Sequence, residues 1–228
     1  MNNLRRCCLA ITMFSAVAYC QAEPLRLVTH HLPPYQVLEG ERLSGSAIDL
    51  IQCTLTEMGQ AYQVDVRPLA RAKKEFTDGK FDGVFVLDQV NQTDNFGVAS
   101  EPLLLTQRNL YTLKSLTLSI DSPEMKALQI GVLHGSTLQK WLLKNGYSNI
   151  QTRYDYHVLF ELLQRGRLGA VFAPTEVYLN EMDHGHINKE LKVKTISEVK
   201  IVSFFSFNWL KKHPQFLPKF NAALARCK

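Results

Sequence analysis

The sequence predicts an α/β protein of two similar lobes resting on largely parallel sheets. Strand-like and helix-like segments alternate along it, and one short pattern recurs in both halves. Its 228 residues, 46% hydrophobic and 21% charged, also provide for two cores of roughly 100 residues each. The same composition excludes a wholly disordered, collagenous or low-complexity chain.

Residues 1–22 read as a secretory signal. Arg5 and Arg6 give the positive start, Cys7 to Tyr19 an uncharged apolar stretch, and Cys20-Gln21-Ala22 small residues at the −3 and −1 positions of a cut after Ala22. The apolar stretch falls short of the roughly 20 residues that span a bilayer as a helix, so export and cleavage are expected. Of 26 Lys and Arg, two leave with the signal, so the mature chain carries 24 bases against 21 acids. That small, scattered excess gives no electrostatic reason to expect nucleic acid. No later segment is long and apolar enough to cross a membrane.

From there the elements follow in order. Leu25–Thr29 is a short strand, His30–Gly45 a loop with Pro and Gly, and Ser46 begins a helix that ends at Gly59. Tyr62–Arg67 reads as a strand, Leu69–Asp78 as a helix stopped by Gly79, Phe81–Leu87 as a buried strand and Arg108–Leu113 as another. A polar stretch near Ser115–Pro123 breaks the pattern. Beyond it come strand Leu128–Leu133, helix Ser136–Lys144, strand Asn149–Tyr154, helix Tyr156–Arg165, strand Gly169–Ala173 and helix Thr175–Met182. Ile201–Trp209 is an apolar, aromatic strand, and Pro214–Arg226 a helix with Phe216, Phe220, Ala223 and Leu224 on one side.

The recurring pattern is Gly79-Lys-Phe-Asp-Gly-Val-Phe-Val86, which aligns without gaps on Gly166-Arg-Leu-Gly-Ala-Val-Phe-Ala173. In each copy a helix ends at Gly, a base follows, and the chain enters a buried strand. Two halves built alike favour two lobes over one continuous sheet: residues 23–113 with 200–228, and residues 114–199. If a disulfide ties Cys53 of the first lobe to the last helix, that helix must return to the first lobe. The chain then crosses between the lobes twice, near Tyr111–Ser115 and near Glu198–Ser203, which makes a two-strand hinge.

Cleavage removes Cys7, Cys8 and Cys20, leaving Cys53 and Cys227 of five cysteines. Two cysteines in an oxidising compartment invite one disulfide. In Ser46–Met58 the apolar Ile48, Ile51, Leu55 and Met58 form one stripe, and Cys53 lies opposite, placed to tie down another element. Cys227, next to last in the final helix, would then pin that helix to the first lobe.

Catalytic patterns are thin. Ser44-Gly-Ser46 lacks the Gly-x-Ser-x-Gly frame of a nucleophile elbow, and no pair of carboxylates is placed for acid–base work. His184-Gly-His186 has a spacing seen in metal sites, but no third ligand stands nearby in sequence. His30-His31 has a better prospect of lining a cleft. No enzyme activity, cofactor or metal is expected.

Several motifs occur in a fixed order. Pro33-Pro34-Tyr35 precedes Gly45-Ser-Ala-Ile-Asp-Leu50, Leu69-Ala-Arg-Ala72, Gly79-Lys-Phe-Asp82 and Ser100-Glu-Pro-Leu103. Gly131-Val-Leu-His-Gly-Ser-Thr137, Leu162-Leu-Gln-Arg-Gly-Arg167, and Lys211-Lys-His-Pro with Asn221-Ala-Ala-Leu follow. Together they resemble the extracellular solute-binding proteins of family 3, the polar-amino-acid-binding class of type II periplasmic binding proteins, over essentially the whole mature chain. The resemblance implies a type II periplasmic-binding-protein fold, a monomer in the periplasm whose lobes close on a small polar solute. It also implies delivery to an inner-membrane ABC permease, the alternative being a sensor or partner-binding protein that signals to a membrane receptor.

It further implies a cleft lined by Tyr35, Leu69, Arg71, Leu87, Gln89, Ser136, Thr137, Pro174 and Glu176, with Thr29, His30 and Leu32 at the end of the first strand. Ser136 and Thr137 begin a helix whose free N–H groups suit an anionic or carbonyl group. Arg71 sits in a helical first turn, where a cation opposes the dipole, which favours a binding role. Two departures stand out. The family's carboxylate-clamping Arg would fall in Asn91-Gln-Thr-Asp-Asn95, which has no base. Its ammonium-pairing Asp would fall at Ala173-Pro174, with Glu176 two residues on. Without that pair of charge-assisted contacts, an α-amino acid bound in the usual way is not expected; Arg71 and Glu176 are the available substitutes.

Overall fold

The computed structural model describes residues 23–89, 96–117, 122–188 and 190–228. The expected signal with its cut after Ala22, the Asn91–Asn95 segment, and part of the expected boundary at Ser115–Pro123 lie outside the described residues.

Strand β1 (Leu25–Thr29) leads through a hairpin, β2 (Val37–Glu39) and β3 (Arg42–Ser44), into α1 (Ser46–Glu57). Next come β4 (Tyr62–Val66), α2 (Leu69–Thr77), β5 (Gly83–Asp88), β6 (Val98–Ala99) and the long β7 (Leu104–Leu113). The chain continues through α3 (Pro123–Ala127), β8 (Ile130–Leu133), α4 (Thr137–Lys144), β9 (Ile150–Arg153), α5 (Tyr156–Gln164), β10 (Ala170–Pro174) and α6 (Thr175–Asp183). It closes with β11 (Leu191–Phe205), α7 (Phe207–Lys212) and α8 (Phe216–Cys227).

The strands hydrogen-bond in the order β4-β1-β5-β11-β7-β10-β8-β9, with β6 beside β11. This order is symmetric about its middle. On one side β1 pairs in parallel with β4 and β5; on the other β8 pairs in parallel with β9 and β10. The inner strands β11 and β7 are antiparallel to β5 and β10 respectively, and to each other. The fold is thus mixed α/β, with parallel pairs at both ends. The strand path is single and continuous where the sequence suggested separate sheets, because β7 and β11 pair along their length and belong to both groups. They are also the two segments by which the chain passes between the groups.

The internal repeat has a backbone counterpart. Helices α2 and α5 both end on a glycine in the left-handed region, Gly79 at φ 77° and Gly166 at φ 69°. Both close with the same pair of bonds, Gly79 N to Phe76 O with Lys80 N to Glu75 O, and Gly166 N to Leu163 O with Arg167 N to Leu162 O. Such a cap needs φ > 0, which glycine adopts without a Cβ penalty. The chain then enters β5 or β10 in equivalent register, Asp82 N bonding Arg26 O as Gly169 N bonds Gln129 O.

The main core joins Leu27, Val28, Phe85 and Phe205 to Tyr111, Phe160 and Val171 across the two groups of strands. A smaller one, with Ile130, Val132, Leu142 and Phe172, covers the opposite face of β8 and β10. Burial on both faces explains their continuous apolar runs. Phe216, Phe220, Ala223 and Leu224 bury one face of α8, and Cys53 of α1 is disulfide-bonded to Cys227 of α8.

Several elements differ from expectation, among them α3 and β6, which are not expected from the sequence, and β7, which begins at Leu104 and not at Arg108. The His30–Gly45 loop contains the β2–β3 hairpin, whose turn at Gly40 (φ 61°) joins strands too short to show alternation. Strand β11 begins at Leu191, its exposed Lys192 and Lys194 hiding it from a reading keyed to apolar runs. It ends before Trp209, which is helical because the Ser206 hydroxyl accepts from Trp209 N at 3.1 Å and caps α7.

Candidate functional site

The parallel strands direct their carboxyl ends to one place, where open α/β sheets present ligand sites. Past the end of β1 lie His30, Leu32 and Tyr35, at the end of β5 Val86, Leu87 and Asp88, at the end of β8 Leu133, and past it Ser136 and Thr137. Pro174 of β10, Tyr156 of α5, Leu69 and Lys73 of α2, and Thr106 of β7 complete most of the wall of a cavity. It leaves about 50 Å³ for the centres of water-sized molecules, room for a few waters.

Two carboxylates organise the polar contacts. Asp88 accepts from the buried Arg108 Nη2 at 2.5 Å and from the Thr137 hydroxyl at the start of α4. Glu176, in the first turn of α6, accepts from the Tyr35 hydroxyl at 2.5 Å and from the Thr106 hydroxyl. A third link runs from Lys73 Nζ to Gly135 O at 3.3 Å. Tyr35, Asp88 and Lys73 belong to the first run of strands and helices, and Thr137, Gly135 and Glu176 to the second. Buried charge is tolerable only when paired in this way. His30 Nδ1 and Arg108 Nε are buried and meet no hydrogen-bond partner among the described residues.

Burial sets the protonation of the wall. It pushes His30 down to about 3, with Lys73 and His31 adding to the effect, so the imidazole is neutral at pH 7. Burial also lowers Lys73 to about 8, helped by Lys140 and opposed by Asp88. The Tyr35 and Tyr156 phenols are pushed up, chiefly by burial, and stay protonated. Val86 is strained: its φ of 61° is unusual for a β-branched residue. The ladder skips it, Val202 facing Leu87 and Ser203 facing Phe85. Such an irregularity costs on the order of 1–3 kcal/mol and re-aims neighbouring side chains.

Of the residues expected in the cleft, Tyr35, Leu69, Leu87, Ser136, Thr137 and Pro174 line the cavity, and Glu176 reaches it through Tyr35 and Thr106. Arg71 and Gln89 are not brought there. On α2 the cavity face is shared by Leu69 and Lys73, four apart, whereas Arg71 lies about 200° round from Leu69. Its exposed guanidinium bonds Glu75 at 2.8 Å, and the bond to Arg71, reinforced by Lys80 and Arg67, holds the Glu75 carboxyl below its ordinary range. That pairing answers the unfavourable dipole which suggested a binding role. Gln89 is exposed, its N–H donating to Lys200 O at 2.9 Å beyond the end of the cavity. Asp88, Arg108, Thr106 and Lys73 were not singled out by the sequence. The signals present were an acid ending an apolar strand and a base inside one. At His184-Gly-His186, where no third ligand stands nearby in sequence, folding brings His157 and Glu181 to His186.

Gly135 brings the backbone of the second group close to α2 of the first. Its φ is 74°, and an added Cβ would lie 2.7 Å from Ala70 Cβ on α2. Gly135→Ala should therefore force α2 and α4 apart. A larger radius of gyration in small-angle scattering, with far-UV circular dichroism unchanged, is the expected outcome; identical scattering curves would refute it.

The arrangement is that of the type II periplasmic-binding-protein fold, and solved structures bear this out. The chain is similar to the arginine-, lysine-, histidine-binding protein ArtJ of Geobacillus stearothermophilus, at 17% identity and TM-score 0.73, covering 90% of this chain and 89% of that one. It is also similar to the GluR0 ligand-binding core of Nostoc punctiforme in complex with L-glutamate, at 18% identity and TM-score 0.75, covering 89% and 92%. A histidine kinase sensor domain resembling periplasmic binding proteins matches at 11% identity and TM-score 0.75, covering 89% of each chain. No family model and no curated protein sequence matches this chain.

Proposed function

We propose that this is a periplasmic solute-binding protein of the family 3 type that closes two lobes, residues 23–113 with 200–228 and residues 114–199, on a small polar solute. One observation carries the reading. Two carboxylate-centred clusters, at Asp88 and at Glu176, each draw hydroxyl donors from the opposite half to the rim of one cavity. Groups that bridge the halves directly are those a solute with matching donors and acceptors can bridge instead. The solute would then supply the free energy that favours closure.

The cavity as it stands takes only a few waters, so capture requires the halves to part about β7 and β11. With Asp88, Glu176, Arg108 and Lys73 at or near the wall, the fitting ligand is polar and carries both a cationic and an anionic or carbonyl group. Binding rather than catalysis is supported by the site's hydroxyls: those of Tyr35, Thr106 and Thr137 all donate to carboxylates, and none of their bonds involves His30. Export through residues 1–22 would place the protein in the periplasm as a monomer, delivering its solute to an ABC permease. The likeness to a histidine kinase sensor domain supports a second reading, in which the closed form signals to a membrane receptor.

Thermal-shift screening of the mature protein against amino acids, small dicarboxylates and diamines tests the first step. A ligand at 100 times its Kd stabilises by about 2.7 kcal/mol, a shift of roughly 5–10 °C for a chain of this size. Asp88→Asn and Glu176→Gln should each weaken the hit at least tenfold. A full panel at millimolar concentration without any shift would sink the proposal. Crosslinking the liganded protein to inner-membrane fractions separates delivery from signalling.

A further inference from the structure

Away from the cleft, α5 and α6 bring three metal-binding side chains together. His157 Nδ1 lies 3.1 Å and His186 Nδ1 2.9 Å from the same atom, Glu181 Oε2. The rings of the two histidines approach with centroids 4.3 Å apart, and one ligand atom from each of the three residues lies within 4.8 Å of the others. None of the three lines the cavity described above. We propose that His157, Glu181 and His186 form a divalent-cation site suited to Zn²⁺.

The two contacts to Glu181 already lie near the spacing of zinc ligands. Tetrahedral zinc with bonds of about 2.0–2.2 Å sets its ligand atoms roughly 3.3–3.5 Å apart. Each imidazole nitrogen therefore has to retreat from Glu181 Oε2 by only a few tenths of an ångström. Burial is also suited to the role. The Glu181 side chain is 7% exposed, while those of His157 and His186 are 45% and 41% exposed. The carboxylate is thus anchored inside, and the imidazoles open a path for an ion and leave a fourth position for water.

The ligands are held by the backbone. Gly185, at φ 71°, turns the chain back at the end of α6, so that Gly185 N bonds Met182 O and His186 N bonds Glu181 O, both at 2.9 Å. The buried Gln164 side chain then grips this loop, donating to His186 O at 2.6 Å and accepting from Asn188 N at 2.7 Å. His157 is fixed in the first turn of α5, its N–H bonded to Asp155 Oδ1 at 2.8 Å. Outer supports of this kind pre-orient a metal site. The dipole of α6 favours a cation at its C-terminal end and that of α5 opposes one at its N-terminal end, so the net pull comes from Glu181. Two imidazoles with one carboxylate select zinc and its first-row neighbours over Mg²⁺ and Ca²⁺, which want all-oxygen shells. His184 is not counted among the ligands, because its Nδ1 faces Asn180 O at 2.8 Å.

The test is calorimetric titration of ZnCl₂ into mature protein made without a histidine tag, in metal-free buffer. Uptake of one Zn²⁺ per chain is expected, weakened at least about 100-fold by His157→Ala and by His186→Ala, with millimolar Mg²⁺ or Ca²⁺ not competing. Both histidines are half-exposed, so these variants should fold, which circular dichroism checks. His31 and His134, which share another cavity, serve as the rival pair. No heat from the wild type, full affinity in both alanine variants, or loss only in His31→Ala and His134→Ala would overturn the site.

Discussion

Replacing Cys53 and Cys227 together by Ser should lower the unfolding free energy of the mature protein by about 5 kcal/mol. The bond joins residues 174 apart in sequence, and closing a loop of that length removes entropy from the unfolded chain worth about 5 kcal/mol. A domain's whole stability is roughly 5–15 kcal/mol, so the doubly substituted protein should be marginal at 37 °C. Little else at the surface can take over. Arg226 Nε meets Glu57 Oε2 at 3.4 Å between the same two helices, but both groups are exposed and such pairs contribute at most about 1 kcal/mol. What remains is the buried face of α8, where Phe216 and Phe220 pack edge-on against Phe205 at the end of β11. The effect should therefore reach β11 and, through it, the connection between the halves. Guanidinium unfolding of wild type and variant gives the difference directly; unfolding free energies that agree to within about 1 kcal/mol would refute the assignment.

The sequence exposes this fold most clearly where local rules coincide. Glycines at 79 and 166 stop two helices in the same way, and the apolar runs that follow are buried on both faces, so the pairing of halves can be read from eight residues. The aromatic run through Phe205 shows the opposite case. Nothing apolar distinguishes Phe205 from Phe207, and only the capping hydroxyl of Ser206 marks the passage from strand to helix. In the cleft, Tyr35, Leu87 and Pro174 are expected from the family resemblance, whereas the helix start at Ser136 is legible from the chain itself. Partners are not. Arg108 and Asp88 lie 20 residues apart and Tyr35 and Glu176 lie 141 apart, and no periodicity records such pairings. Arg71 shows how a sound local argument points the wrong way. The dipole penalty at the start of α2 is real, but Glu75 one turn later meets it, and the residue that faces the cavity is Lys73. His157 and Glu181 illustrate the same limit, since they complete a cluster with His186 only because the fold brings the start of α5 to the end of α6.

His30 should make the protein lose stability as the pH falls below about 6.5. The imidazole is 3% exposed at the cavity wall, near Lys73 and His31, and burial holds it down to about 3 in the folded protein. In the unfolded chain it returns to about 6.5. Between those values the unfolded state binds a proton that the folded state refuses, so stability rises with pH across the window and is lost as pH falls from 6.5 towards 3. The full difference is on the order of 5 kcal/mol, more than half of it below about pH 5. His30→Phe keeps the ring and removes the titration. Chemical unfolding at pH 7 and at pH 4.5 should show the wild type losing on the order of 2 kcal/mol more than the variant over that interval. Parallel losses in the two proteins would mean that His30 accepts its proton in the folded state as readily as in water. The cavity wall beside His30 would then have to be solvated well enough to hold a further charge next to Lys73.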